Sequence, residues 1–180
     1  IRIIATGFIL YDITGSGLSL GMLGIIQLFF QLPSILYGGV LADFFKRTTI
    51  ITISQSFGTV VIFILFYLTA KELINEWHIY ISTALLSINS TIGGPARSAL
   101  TANLVPKKLL INAVAANTAT MQIGSVAAPI LFGLLTVSFG ASYPLLIGSI
   151  AALISAITCI LIKNDNYIKN TQKMLSLIHI

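Results

Sequence analysis

The chain has 180 residues, 56% of them hydrophobic and only 8% charged, with ten Lys or Arg against five Asp or Glu. So little charge cannot cover the surface of a soluble domain, which excludes a soluble fold and points to an all-α polytopic membrane protein. The net charge of +5 does not signal a nucleic-acid partner, because the bases lie in loops beside apolar runs, the pattern of membrane topology.

A crossing helix needs about 20 apolar residues, so the chain holds at most about six spans. Residues 1–11 predict the end of a first helix whose start is missing. No basic segment or small-residue cleavage site accompanies Ile1, so no signal peptide is expected. Asp12-Ile13-Thr14-Gly15-Ser16-Gly17 reads as a turn. The second span is expected over 18–41, long enough to tilt and kinked at Pro33. It ends in Tyr37-Gly38-Gly39-Val40-Leu41-Ala42-Asp43-Phe44-Phe45-Lys46-Arg47, where an acid and two bases crowd together. Small Gly38, Gly39 and Ala42 let this helix end approach a neighbour.

The third span covers 48–70 and is rich in Ile, Val and Phe. A polar loop follows over 71–76, with Trp77 and Tyr80 placed as interfacial aromatics. The fourth span, 77–92, is expected to stop at Gly93-Gly94-Pro95. Residues 96–111 are mixed and predict a short helix along the interface. The fifth and sixth spans cover 112–139 and 143–162, which closes a transmembrane unit at about residue 164. Residues 165–174 read as a polar cytoplasmic loop. Leu175-Ser176-Leu177-Ile178-His179-Ile180 reads as translated sequencing adapter, which leaves His179 without a role, and the whole chain reads as a fragment.

Orientation follows from the bases. One side carries Lys46, Arg47, Arg97, Lys107, Lys108, Lys163, Lys169 and Lys173, and the other only Lys71 among Asp12, Glu72 and Glu76. The positive-inside rule then places the turn at 42–48 and the carboxyl-terminal tail in the cytoplasm.

Few residues could carry chemistry. Arg2 lies ten residues before Asp12, about 15 Å from the far interface at 1.5 Å per residue. A charge at that depth marks either a coupling or substrate residue, or a structural ion pair. Gln27 and Gln31 sit one turn apart and share a face, which suits a polar cavity or a bond to a neighbouring helix. Asn89 and Ser90, and Asn117, Gln122 and Ser125, allow the same two roles. Asp43 with Lys46, Arg47 and Arg97 forms a candidate cytoplasmic gate, the alternative being ordinary topogenic charge. No catalytic residue, metal ligand or cofactor is expected. His78 stands at an interface without an acid or cysteine cluster, and no H-E-x-x-H, G-x-S-x-G or phosphate loop occurs. Cys159, the single cysteine, lies inside an apolar run.

Three stretches resemble a known family. Gly39, Asp43 and Arg47 fall on the G-x-x-x-D-plus-bases turn of major facilitator superfamily transporters, with Phe44 where a base is usual. Tyr11-Asp12-Ile13-Thr14-Gly15-Ser16 is similar to the Y-D-L-T-G-S turn of bacterial macrolide-efflux and enterobactin exporters. Gly94-Pro95-Ala96-Arg97-Ser98-Ala99-Leu100, then Leu104-Val105-Pro106 and Asn112-Ala113, resembles their G-P-A-R-x-A-L…L-V-P…N-A segment. In the fifth span the exporters' G-P-x-x-G-G becomes Ala128-Pro129-Ile130-Leu131-Phe132-Gly133.

The resemblance implies the amino-terminal six-helix half of a transporter in a bacterial inner membrane. Pro95, Gly124, Pro129 and Gly133 would be helix-packing positions, and Gly39, Asp43, Lys46, Arg47 and Arg97 a gate. It further implies export of a drug-like or siderophore-like small molecule by alternating access. The partners would be the bilayer, the small-molecule substrate and a second six-helix half, with protons as a candidate coupling ion. The competing expectations are a membrane scaffold that transports nothing and a six-helix unit that pairs with itself.

Overall fold

In an apolar surrounding every backbone N–H and C=O must bond within its own segment, so runs this apolar fold as helices. The computed structural model describes residues 1–44 and 47–161. It contains α1 (Arg2–Thr14), α2 (Gly17–Phe44), α3 (Arg47–Ala70), α4 (Glu76–Leu104), a 3-10 turn (Lys107–Leu109), α5 (Leu110–Phe139) and α6 (Tyr143–Leu161). Within α2, α3, α5 and α6 lie stretches long and apolar enough to cross a membrane. α1 has only 13 residues, and α4 carries Glu76, His78, Asn89 and Arg97 among many hydroxyls. The expected tail, loop and adapter at 165–180 lie outside the described residues.

The ends of the helices are built by recognisable local chemistry. α1 stops because Gly15 takes the left-handed conformation (φ 62°) and its N–H bonds the Tyr11 carbonyl at 2.8 Å. Thr14 Oγ1 donates to the Leu10 carbonyl at 2.8 Å and accepts the Ser16 N–H at 3.3 Å. The Thr-Gly-Ser of that turn is therefore a helix stop. α3 closes in a Schellman arrangement, with Leu73 N–H on the Leu68 carbonyl and Glu72 N–H on that of Thr69. Glu72 holds the left-handed position there (φ 58°). At the start of α4, the Asn75 N–H donates to His78 Nδ1 at 3.1 Å, so this histidine serves as a cap.

Gly93-Gly94-Pro95 does not end α4, contrary to the boundary expected at 92. The helix continues to Leu104. Proline disfavours a helical residue before it partly through that residue's Cβ, and Gly94 has none. The break comes instead at Val105-Pro106, where Val105 does carry a Cβ and is extended (φ −114°, ψ 147°). The short helix expected within 96–111 is the single turn Lys107–Leu109, entered through an N–H···O bond from Leu109 to the Pro106 carbonyl.

α3 packs along both α6 and α4, and α2 packs along α4. α1 touches α2, α4, α5 and α6, whereas α5 meets its neighbours only over short lengths. Two apolar clusters result. The larger joins Ala5, Ile9 and Leu10 of α1 to Val61, Leu65, Ile79, Leu86, Phe132 and Leu145. The smaller, toward the α2–α3 end of the bundle, joins Ile50, Ile51, Leu100 and Cys159. Outward positions are apolar as well, among them Ile111, Val126 and Val137, as expected of a surface covered by acyl chains.

Candidate functional site

Between the two clusters the facing helix surfaces turn polar. α3 offers Ser54, Gln55 and Gly58 there, and α4 offers Asn89, Ser90, Gly93, Gly94 and Arg97. With Arg2 of α1 and Ala152 of α6 they line a cavity of about 220 Å³. One ordered water needs roughly 10–15 Å³ on this measure, so polar ligands larger than water fit.

The α3–α4 side of the cavity is fixed by a reciprocal clasp. Ser54 Oγ donates to the Asn89 carbonyl at 3.3 Å, and Asn89 Nδ2 donates to the Ser54 carbonyl at 3.0 Å. Polar groups away from water must find such partners, and small residues let them. A Cβ added at Gly93 would stand 2.6 Å from Ser54 Oγ, and one at Gly58 would stand 3.5 Å from Asn89 Nδ2. On the α6 side, Gln55 Nε2 donates to Ser155 Oγ at 2.8 Å. The α4 hydroxyls mostly bond their own helix: Ser90 Oγ and Thr91 Oγ1 both donate to the Ser87 carbonyl, at 2.9 and 3.0 Å.

What remains uncommitted in the lining is cationic. Arg2 is half-buried and Arg97 is exposed at the mouth, beside Ser90 and Gly94. No Asp or Glu among the described residues lines the cavity. Among the described residues neither guanidinium makes a hydrogen bond or ion pair, and no three His, Cys, Asp or Glu cluster as a metal site.

The structure thus brings together Arg2, Asn89, Ser90 and Arg97, named separately from the sequence. It does not bring the others to them. Gln27 is exposed and Gln31 half-buried on α2, outside the cavity. Asn117, Gln122 and Ser125 are exposed on α5, where Ser125 Oγ donates to the Gln122 carbonyl at 2.7 Å. Gly39 and Asp43 lie in the last turns of α2 and Arg47 opens α3. Their side chains, like that of Pro95, lie outside the described residues, as does all of Lys46.

Gly124 and Gly133, expected as packing positions, meet nothing within 4 Å even with a Cβ added, and Pro129 is exposed. Close approach is made instead by Gly58 and Gly93, because α3 and α4 lie against each other and α5 does not lie along either. Sequence reasoning passed over Ser54, Gln55, Gly58 and Gly93. The available signal was the Ser54-x-x-x-Gly58 spacing, a small-residue pair one turn apart within an otherwise bulky span.

A family model described as the Major Facilitator Superfamily matches residues 2–174. No curated protein and no solved structure matches the chain.

Proposed function

The chain belongs to the Major Facilitator Superfamily, a family of transporters, and on that premise we propose that it is the amino-terminal half of an exporter. Its cargo is a drug-like or siderophore-like small molecule, moved by alternating access across a bacterial inner membrane. The observation that supports this reading is the polar layer with two arginines set between two apolar clusters. Ionisable groups held among membrane helices mark substrate and ion pathways. In this reading Asp43, Lys46 and Arg47 sit on the cytoplasmic side with Arg97 near them, and form contacts in one access state that break in the other. A second six-helix half completes the path, and protons are the coupling ion.

Accumulation assays in exporter-deficient cells expressing the full-length protein test this. Expression should lower the accumulation of at least one compound in a panel of lipophilic cations and catecholate siderophores. Asp43→Asn should abolish that effect while the protein stays in the membrane at the normal amount. If Asp43→Asn exports as well as the parent, the gating role is wrong. If no compound in the panel is affected by expression, the exporter reading loses its support.

A further inference from the structure

We propose that the cavity between α1, α3, α4 and α6 is an anion site, which takes a phosphate group between Arg2 and Arg97. This does not rest on the cargo or the direction of transport. α1 and α4 run in opposite directions, and every side chain on a helix leans toward that helix's own N-terminus. Arg2 therefore leans toward the α2–α3 end of the bundle and Arg97 leans away from it. Their Cα atoms differ in level by roughly 13 Å at 1.5 Å per residue, and the opposed leans carry both guanidinium groups into one cavity.

Two like charges in a layer flanked by apolar clusters repel each other more strongly than they would in bulk water, even with one of them near the mouth. Among the described residues the lining supplies no carboxylate to offset this. Each of its two amides already spends one N–H on the helix packing, Asn89 on Ser54 and Gln55 on Ser155. Among the described residues the two guanidinium forks are the charged donors without a partner, and their planar geometry matches the oxygens of a phosphate. The mouth, formed by Ser90, Gly94 and Arg97, is exposed, so the phosphate can come from solution or from a phospholipid headgroup.

The full-length protein, purified in a neutral detergent, should unfold at a higher temperature in inorganic phosphate than in sodium chloride of equal ionic strength. Arg2→Gln and Arg97→Gln should each raise the half-saturating phosphate concentration about tenfold or more. In phosphatidylcholine nanodiscs without phosphate, adding phosphatidylglycerol tests the lipid source. Stabilisation by phosphatidylglycerol alone, lost in both variants, identifies a headgroup site, and stabilisation by inorganic phosphate identifies a free-anion site. Should the Gln variants fail to fold, Ser90→Asp keeps both arginines and sets a carboxylate in the lining, which should abolish the response. The proposal is overturned if neither probe stabilises the parent protein, or if Ser90→Asp responds as the parent does. Either result leaves the transporter reading standing.

Discussion

The α3–α4 contact turns on three residues. Ser54 and Asn89 exchange hydrogen bonds across the gap, and Gly93 leaves room for the Ser54 side chain. Gly93→Ala would set its Cβ 2.6 Å from Ser54 Oγ, and moving that hydroxyl breaks its bond to the Asn89 carbonyl. Overpacking of this kind destabilises by about 1–3 kcal/mol. Gly93→Ala should accordingly lower the unfolding midpoint in detergent, and adding Ser54→Ala should restore the part due to overpacking but not the lost hydrogen bond, since only a 3.3 Å contact to Cβ remains. Equal midpoints for Gly93→Ala and the parent protein would show that the helices separate freely there. Little of this was legible beforehand. Arg2 and Arg97 stand out in the sequence as a deep charge and a charge near a turn. That both line one cavity depends on helix rotation and on the direction of side-chain lean, which linear spacing does not encode. Ser54 and Gln55 are hidden for a different reason: the bulky Ile, Val and Phe around them dominate any average taken over that span.

At the scale of the elements, boundaries were read best where the stop is local chemistry. The turn expected over residues 12–17 was found in place but drawn too wide: α1 runs on to Thr14 and α2 opens at Gly17. The stop itself is the Thr14 hydroxyl and left-handed Gly15, which act within a few residues. Gly93-Gly94-Pro95 misleads because composition suggests a breaker, whereas a glycine before proline removes much of the clash that would break the helix. The α3–α4 connection carries a testable imperfection. Glu72 occupies a left-handed position at φ 58°, a conformation that favours glycine. Glu72→Gly should stabilise the protein by up to about 1 kcal/mol, the greater freedom of glycine in the unfolded chain taking back part of the gain. Glu72→Val should do the reverse, and thermal unfolding of the two variants side by side checks the sign. The fifth helix shows how one bulky residue in a small-residue stretch acts structurally. Phe132 stands where the motif that the fifth span resembles has glycine, and it is the buried residue of α5. Its ring meets Phe8 of α1 edge-on at 5.5 Å, so a residue that enlarges the helix surface here ties α5 to α1.

For the whole molecule, the fold class was legible almost completely, because composition and hydropathy follow directly from the demand that membrane backbone be helical. The proposed orientation rests on loop charge and can be read with thiol reagents. Cys159 is buried, its Sγ directed to the Thr48 carbonyl at 3.6 Å, so the native thiol should add little background. In intact cells a membrane-impermeant maleimide should label Lys71→Cys in the full-length protein, and should label Lys108→Cys only after permeabilisation. The opposite pattern inverts the topology.

The unbroken run of α4 carries a mechanical consequence. At 1.5 Å per residue its 29 residues extend about 43 Å, against a hydrocarbon core about 30 Å thick. The part beyond Pro95 is a stiff arm roughly 14 Å long, pivoting where the ladder lacks one proline N–H. A bend of about 10° there swings Leu104 by roughly 2 Å, so a small adjustment beside Arg97 is magnified at the tip from which the chain departs toward α5.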